Sequence, residues 1–376
     1  MGNTLTGIIP ILYMAVMNVS RELTGLIPSV FMNADAAQAA VGQTVTYPVA
    51  PASEARDIVA GTTSPDDGDQ TIGNDSMTIS KSRAVPVRWT GEEQLSVGSF
   101  NGNLLQGQFE QAVRTLTNEV ESDLAALFKS ASRAHGTAGT TPFSTAGDYT
   151  DASYARKILV DNGAPASELR LVVDTSAGAN FRGKQAQAHM AGTDSFQRQG
   201  VLLDLHGFQI RESAKIVNHV KGTGTNYVTS GATAAGVKDI ALVTGANTVL
   251  AGDVVTFAAD TKNKYVVGAG ITEPGTISLN NPGAMMTIPT ANAMTIGGNF
   301  TANMAFARSA IHLIARSPAM PEGGDSAEDV FYITDPLSGL TFQVALYREY
   351  RRVKYEIGLA WGVKAVKKDW IALLLG

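Results

Sequence analysis

The stretch from Leu340 to Gly376, LTFQVALYREYRRVKYEIGLAWGVKAVKKDWIALLLG, decides the architecture. Phe342, Val344 and Leu346 recur at the two-residue step of a strand with one buried face, and Val353, Tyr355, Ile357, Leu359, Trp361 and Val363 resume that step. Lys354, Glu356, Gly358, Ala360 and Gly362 stand on the opposite face. The apolar set moves from even to odd positions between Leu346 and Val353, so a bulge or short turn is expected in YREYRR. Two strands of this length bury a face only against a second layer. Nothing in them has the form of a catalytic turn, and the segment reads as scaffolding and contact.

The second layer is legible upstream. From about Asn103 to Ala134, Leu105, Phe109, Val113, Leu116, Val120, Leu124 and Leu127 recur at three- and four-residue steps, with Ala112 and Phe128 beside them. Glu110, Arg114, Glu119, Glu121, Asp123 and Lys129 read as the polar remainder of this helix. Asn101 or Asn103 caps its start and Gly136 stops it. At 1.5 Å per residue it spans roughly 48 Å. Burying its stripe contributes on the order of 10–20 kcal/mol before chain entropy is subtracted. A helix of this length is expected to lie across a sheet as a beam.

Working outward, residues 1–42 read as an arm with little core of its own, which suggests a partner in another subunit. Gly7 to Val19 is apolar but too short to span a bilayer, and reads as a buried or docking helix. The opening Met1 to Thr6 fits the loose N-myristoylation pattern, a weak anchor by itself. Residues 43–100 read as a hairpin excursion: TVTYPVA leads out, MTISKSRAVPVRW returns, and the tip between them is polar and acidic. Pro48 and Pro86 exclude both strands from central sheet positions.

Residues 150–220 have α/β texture: a helix through ASYARKILVDN ended by Gly163, a strand at ELRLVVD, and further strands in VLLDLHGFQIRES. Between about Lys221 and Asn303 arginine vanishes, and short β-prone pieces recur between Gly, Asn and Pro. Residues 221–303 therefore read as a small β-barrel or sandwich inserted into the surrounding domain. Helical signal is expected to return at Met304–Ala315.

The composition limits function. Charged residues make up 17% of the chain and hydrophobic residues 44%, a low charge for a free monomer and a suitable one for a surface covered by neighbours. The net charge of −5 argues against a protein that wraps nucleic acid. There is no cysteine, hence no disulfide or thiolate metal site. None of the five histidines falls in a metal-binding motif, and a shared site for His206 and His219 is a remote reading. Gly222 and Gly224 lack the third glycine and the helix of a dinucleotide loop, and Ser176 lacks the preceding glycine of a nucleophile elbow. Asp66, Asp67, Asp69 and Asp75 do not follow calcium-loop spacing. No catalytic residue, cofactor or metal is expected. The sharper signal is the basic run Arg348, Arg351, Arg352 and Lys354, continued by Lys364, Lys367 and Lys368. It reads as an intersubunit ion-pair surface meeting acidic groups such as Asp66, Asp67 and Asp69, against the plainer reading of a solvated strand face.

These residues also carry a resemblance. ARSAIHLIARSPAMPEGGD (Ala307–Asp325), the stretch from Asp335 to the end, and HGFQIRESAKIVNHVKGTGTNY (His206–Tyr227) resemble the P22-type phage major coat proteins over nearly the whole chain. The resemblance implies an α+β, HK97-like capsid fold. It would make 1–42 an N-terminal arm, 43–100 an extended loop, and 101–136 the spine helix of a peripheral domain. Residues 137–220 and 304–324 would form an axial domain, 221–303 an inserted small β-barrel domain, and 325–376 terminal strands of the peripheral domain. It implies self-assembly in hexamers and pentamers with a scaffolding protein and a portal. The icosahedral shell would be assembled in the host cytoplasm and enclose double-stranded DNA without specific recognition, with no membrane involved. The competing readings are a nanocompartment shell of the same fold and a monomeric β-rich adhesin or carbohydrate-binding module.

Overall fold

A computed structural model describes residues 9–18, 22–49, 73–97, 101–145, 148–185 and 204–376, together with 57, 60 and 202. In chain order the elements begin with α1 (Ile9–Asn18), β1 (Phe31–Ala39), β2 (Thr44–Val49), β3 (Gly73–Thr78), β4 (Lys81–Thr90), α2 (Gly91–Val97) and α3 (Asn101–Ala125). Next come β5 (Arg133–His135), α4 (Thr150–Asp161), β6 (Leu169–Val173), α5 (Thr175–Gln185), β7 (Phe208–Glu212), β8 (Asn218–His219), β9 (Val228–Thr229) and β10 (Asp239–Val243). The last are β11 (Val254–Phe257), β12 (Asp260–Ala269), β13 (Thr276–Leu279), β14 (Met294–Ile296), β15 (Phe300–Ala307), β16 (Ile311–Pro318), β17 (Asp329–Thr334), β18 (Thr341–Glu349), β19 (Arg352–Ala365) and β20 (Ile371–Leu375). The architecture is α+β.

The shift of parity in the terminal stretch is a two-residue turn. Tyr350 and Arg351 close an antiparallel hairpin in which Val344 faces Ile357 and Leu346 faces Tyr355. This puts the even-numbered set of β18 and the odd-numbered set of β19 on one buried face. β4 runs along one edge of β19 for ten residue pairs. β18 and then β16 share the other edge, with β17 outside β18 and β1 parallel to β16. Pro86 is harmless because β4 pairs with β19 alone among the described strands. On the far face of β19 the residues are small because the chain crosses there: a Cβ on Gly362 would overlap the Thr78 carbonyl at the end of β3.

α3 lies on the apolar face of this sheet. Leu105, Phe109, Val113, Leu116, Val120 and Leu124 are buried, and the Phe109 ring meets Tyr355 edge-on at 5.4 Å. The helix is shorter than its pattern suggests. It ends at Ala125, a 3-10 turn carries Ala126–Ser130, and Leu127 in that turn is half-buried. Ala131 is extended, and Ser132 donates its amide to the Ile371 carbonyl. Strand pairing of β5 with β20 and β12 therefore replaces the last turns, and the expected span of 101–136 is corrected to 101–125.

The N-terminal arm docks on its own chain. Leu12, Ala15 and Val16 of α1 enter the same core as α3. Residues 22–30 then thread between α3 and the middle of the molecule. Glu121 of α3 accepts the amides of Gly25, Leu26 and Ile27 at 2.7, 2.7 and 3.0 Å. Arg114 holds Glu22 through two nitrogens at 2.7 and 3.1 Å. On the other side Ala214 donates to the Leu23 carbonyl, and a Cβ on Gly25 would press into the Glu212 carbonyl. Glu121, placed by its sequence in the polar remainder of the helix, is completely buried. Burial raises its pKa even though three amides favour the ionised form.

The middle sheet runs β7-β6-β15-β20-β5 and continues into β12, β13, β10 and β9. α4 and α5 cover one face of its first half through Ala155, Leu159 and Phe181. Its other face joins the α3 core through Val172, Phe306 and Leu373. Two expectations fail here. Residues 304–315, expected to be helical, lie in β15 and β16, whose backbone groups are taken by β6 and β20 and by β1 and β19. The divisions 304–324 and 325–376 are also crossed, since β16 belongs to the terminal sheet and β20 to the middle one.

Most of 221–303 forms a β-rich module with its own apolar cluster, including Tyr227, Ile240, Val255, Phe257, Ile277 and Ile288. It is joined to the body by β12 pairing with β5 and by polar contacts. Asn280 donates to the carbonyls of Lys129 and Ala131 at 2.7 and 2.8 Å. Arg133 reaches Asn263 and Asn162 at 3.1 and 3.0 Å.

Candidate contact surface at the hairpin tip

The turn between β18 and β19 lies beside the junction of β4 and α2, where Gly91 donates its amide to the Arg351 carbonyl at 3.1 Å. Trp89, Thr90, Gly91, Glu92 and Gln94 face Arg348 to Val353 across a cleft of about 660 Å³. Trp89 is fixed by its indole N–H, which donates to Gln108 Oε1 on α3 at 2.7 Å. Tyr350 is 89% exposed and Leu95 of α2 is 85% exposed, so large apolar groups flank the cleft in open solvent.

Most of the basic run is neutralised within the chain. Arg348 is paired with Glu328, Arg352 with Glu349 and Lys354 with Glu356. Lys354 also lies 5.0 Å from the centre of the Tyr347 ring. The Tyr347 hydroxyl donates to Asp325 at 2.7 Å, and burial, followed by that carboxylate, raises its pKa. Arg351 is exposed, holds a left-handed φ of 58° in the turn, and sits 5.9 Å from the ring centre of Tyr350. No carboxylate among the described residues pairs with it. Lys364, further along β19, pairs with Asp75 of β3 at 2.5 Å. Asp66, Asp67 and Asp69 lie outside the described residues, as do Met1 to Thr6. Of the acidic loop, the structure places only its Asp75 flank against a lysine.

The other sequence candidates have structural duties. His219 is bonded to Asp253 at 2.8 Å, and Asp253 also accepts the amides of Gly222 and Leu250. His206 sits in the turn before β7, where its carbonyl accepts from Arg156 at 2.6 Å. Ser176 opens α5, its amide capped by Asp174. Among the described residues no three His, Asp or Glu side chains gather where they could hold a metal ion, and no helix is long and apolar enough to cross a membrane. Sequence reasoning missed Glu121. Its signal was position: it follows Thr117 by one turn and precedes Leu124 by three residues, inside the apolar arc.

No known family profile matches the chain, and no curated protein matches it by sequence. Solved structures do. The capsid of cyanophage P-SCSP1u aligns with a TM-score of 0.51 and 10% identity, covering 94% of this chain and 88% of that one. A structure from Mycobacterium phage Che8 gives 0.47 and 13%, covering 89% and 84%. The capsid of Myoviridae phage XM1 gives 0.47 and 10%, covering 94% and 92%. At these identities the likeness is one of fold, and the first comparison carries it.

Proposed function

We propose that this chain is a structural shell protein whose copies assemble, in hexamers and pentamers, into an icosahedral capsid of the HK97-like, P22-type class. The observation that carries the reading is a fold shared with a phage capsid over 94% of the chain. In this reading α3 is the spine helix, residues 43–100 the extended loop and 221–303 an inserted β-barrel domain. A scaffolding protein and a portal would assist assembly in the host cytoplasm, double-stranded DNA would fill the virion, and the chain would catalyse nothing. The exposed pair Tyr350 and Arg351 would then be a joint between copies, with the acidic segment around Asp67 as its counterpart.

Electron microscopy and light scattering of the purified protein, with scaffold supplied, test the shell. Closed particles tens of nanometres across are expected, and a 39.4 kDa monomer under every assembly condition would sink the reading. Arg351→Glu should leave the chain folded and lower shell yield at low salt, with Asp67→Lys restoring part of it. Normal yield from Arg351→Glu would remove the hairpin tip from the joint and leave the shell reading intact. Exposed pairs are worth only about 0–1 kcal/mol each, but the loss recurs at every equivalent joint.

A further inference from the structure

Where the module, the end of α3 and the β19–β20 connection meet, they enclose a cleft of about 670 Å³. Five lysines line it: Lys129, Lys238, Lys364, Lys367 and Lys368. Asp75 and Asp369 are the only carboxylates in that lining, which leaves an excess of three positive charges on a chain whose net charge is −5. Asp75 already engages Lys364. Lys129, Lys238, Lys367 and Lys368 form no ion pair among the described residues, and all four are exposed or half-buried. Lys367 rests near the Trp370 ring, 5.9 Å from its centre. Four ammonium groups brought by separate parts of the fold to one concavity give it a positive potential that favours an anion.

The rest of the lining selects the anion. A peptide is normally held by an open strand edge, an apolar groove or an aromatic slot. Here β12 and β13 are paired to each other and β13 is also paired to β10, so their edges are occupied. The remaining polar groups are Ser130, Ser278, Asn280 and Asn281, beside Leu279, Val366 and small residues such as Ala251, Gly268 and Ala269. Lysine, serine and asparagine are among the side chains that contact phosphate oxygens. We infer that this cleft binds the phosphodiester backbone of nucleic acid, independently of sequence, through Lys129, Lys238, Lys367 and Lys368. This local grip coexists with an acidic chain because the cleft gathers a local excess of positive charge. It stands apart from the shell reading, since an unassembled chain presents the same lysines.

The test is fluorescence anisotropy of a short labelled DNA duplex of arbitrary sequence, titrated with unassembled protein at several salt concentrations. Four phosphate contacts predict a slope of about −3 to −4 in log affinity against log salt, and roughly a hundredfold loss of affinity between about 50 and 200 mM. The double variant Lys238→Glu/Lys368→Glu should weaken binding at least tenfold and reduce the slope by about 2. Lys262→Glu, a single charge reversal on an exposed β12 residue outside the cleft, should leave the slope unchanged. Lys238→Gln/Lys368→Gln repeats the test without charge reversal, and circular dichroism checks that each variant is folded. Absence of DNA binding at low salt, or an equal effect from Lys262→Glu, overturns the proposal. Binding of poly-glutamate but not DNA overturns it in favour of an acidic polypeptide partner.

Discussion

Two of the apolar cores of this protein are assembled in opposite ways. The core around α3 draws Leu12, Leu26, Trp89, Phe109, Val120, Phe306, Leu313, Phe342, Leu359 and Leu375 from almost the whole length of the chain. The module's core takes all its members from the stretch between Tyr227 and Met294. In the first, each element is unsatisfied until distant partners arrive. In the second, short strands and tight turns satisfy one another, as where the Tyr227 hydroxyl donates to the Asn247 carbonyl at 2.5 Å. The module is thus nearly self-sufficient, attached to a body that closes only by long-range contacts.

The most severe way to break this contrast is Leu116→Asp. Leu116 is 1% exposed, and an unpaired carboxylate there should cost about 3–5 kcal/mol and unfold the body. Signals from Ile240, Val255 and Ile277 in NMR spectra should persist in native positions. If they collapse together with those of α3, the molecule is one cooperative unit and the contrast is wrong.

A smaller perturbation acts on the strap between the arm and α3. Glu121→Ala strands three buried amides, which should cost about 2–4 kcal/mol. Hydrogen exchange at Gly25, Leu26 and Ile27 should accelerate strongly while module amides stay protected. Unchanged exchange at the strap would mean that Glu121 does not hold it.

The mildest probe is acid. Arg114, and then Asn118, hold the Glu22 carboxyl down to about 2. A depressed carboxyl pKa stabilises fully above its unfolded value, near 4.3, and the contribution is lost as pH falls through about 2. An NMR titration of the Glu22 carboxyl should show its midpoint near that lower value and a rise in Arg114→Gln. A midpoint close to 4 in the parent would detach Glu22 from α3.

The period of two in β18 and β19 and the stripe on α3 could be read from residues alone because one face of each is apolar and the other is small or polar. The end of α3 could not, since Ala131 to His135 are compatible with helix until β20 and β12 compete for their backbone. MAFARSAIHLIA was misread for a related reason: a strand buried on both faces shows no alternation, and an apolar run then fits either state. At the hairpin tip the basic cluster was visible, but its neutralisation by Glu328, Glu349 and Glu356 depends on strand register and on side-chain reach across the turn. Glu121 shows the same limit, because a buried carboxylate and a solvated one are identical letters.

β20 occupies the interior of the middle sheet, antiparallel to β15 on one side and parallel to β5 on the other. Its residues, Ile371 to Leu375, follow every other described strand in the sequence. A ribosome therefore releases both neighbours well before the strand that joins them, and during that interval β5 and β15 present unpaired edges and an apolar slot. The nascent chain must be kept from filling that slot with a strand from another molecule, so the hazard for this protein lies in the interval before β20 emerges.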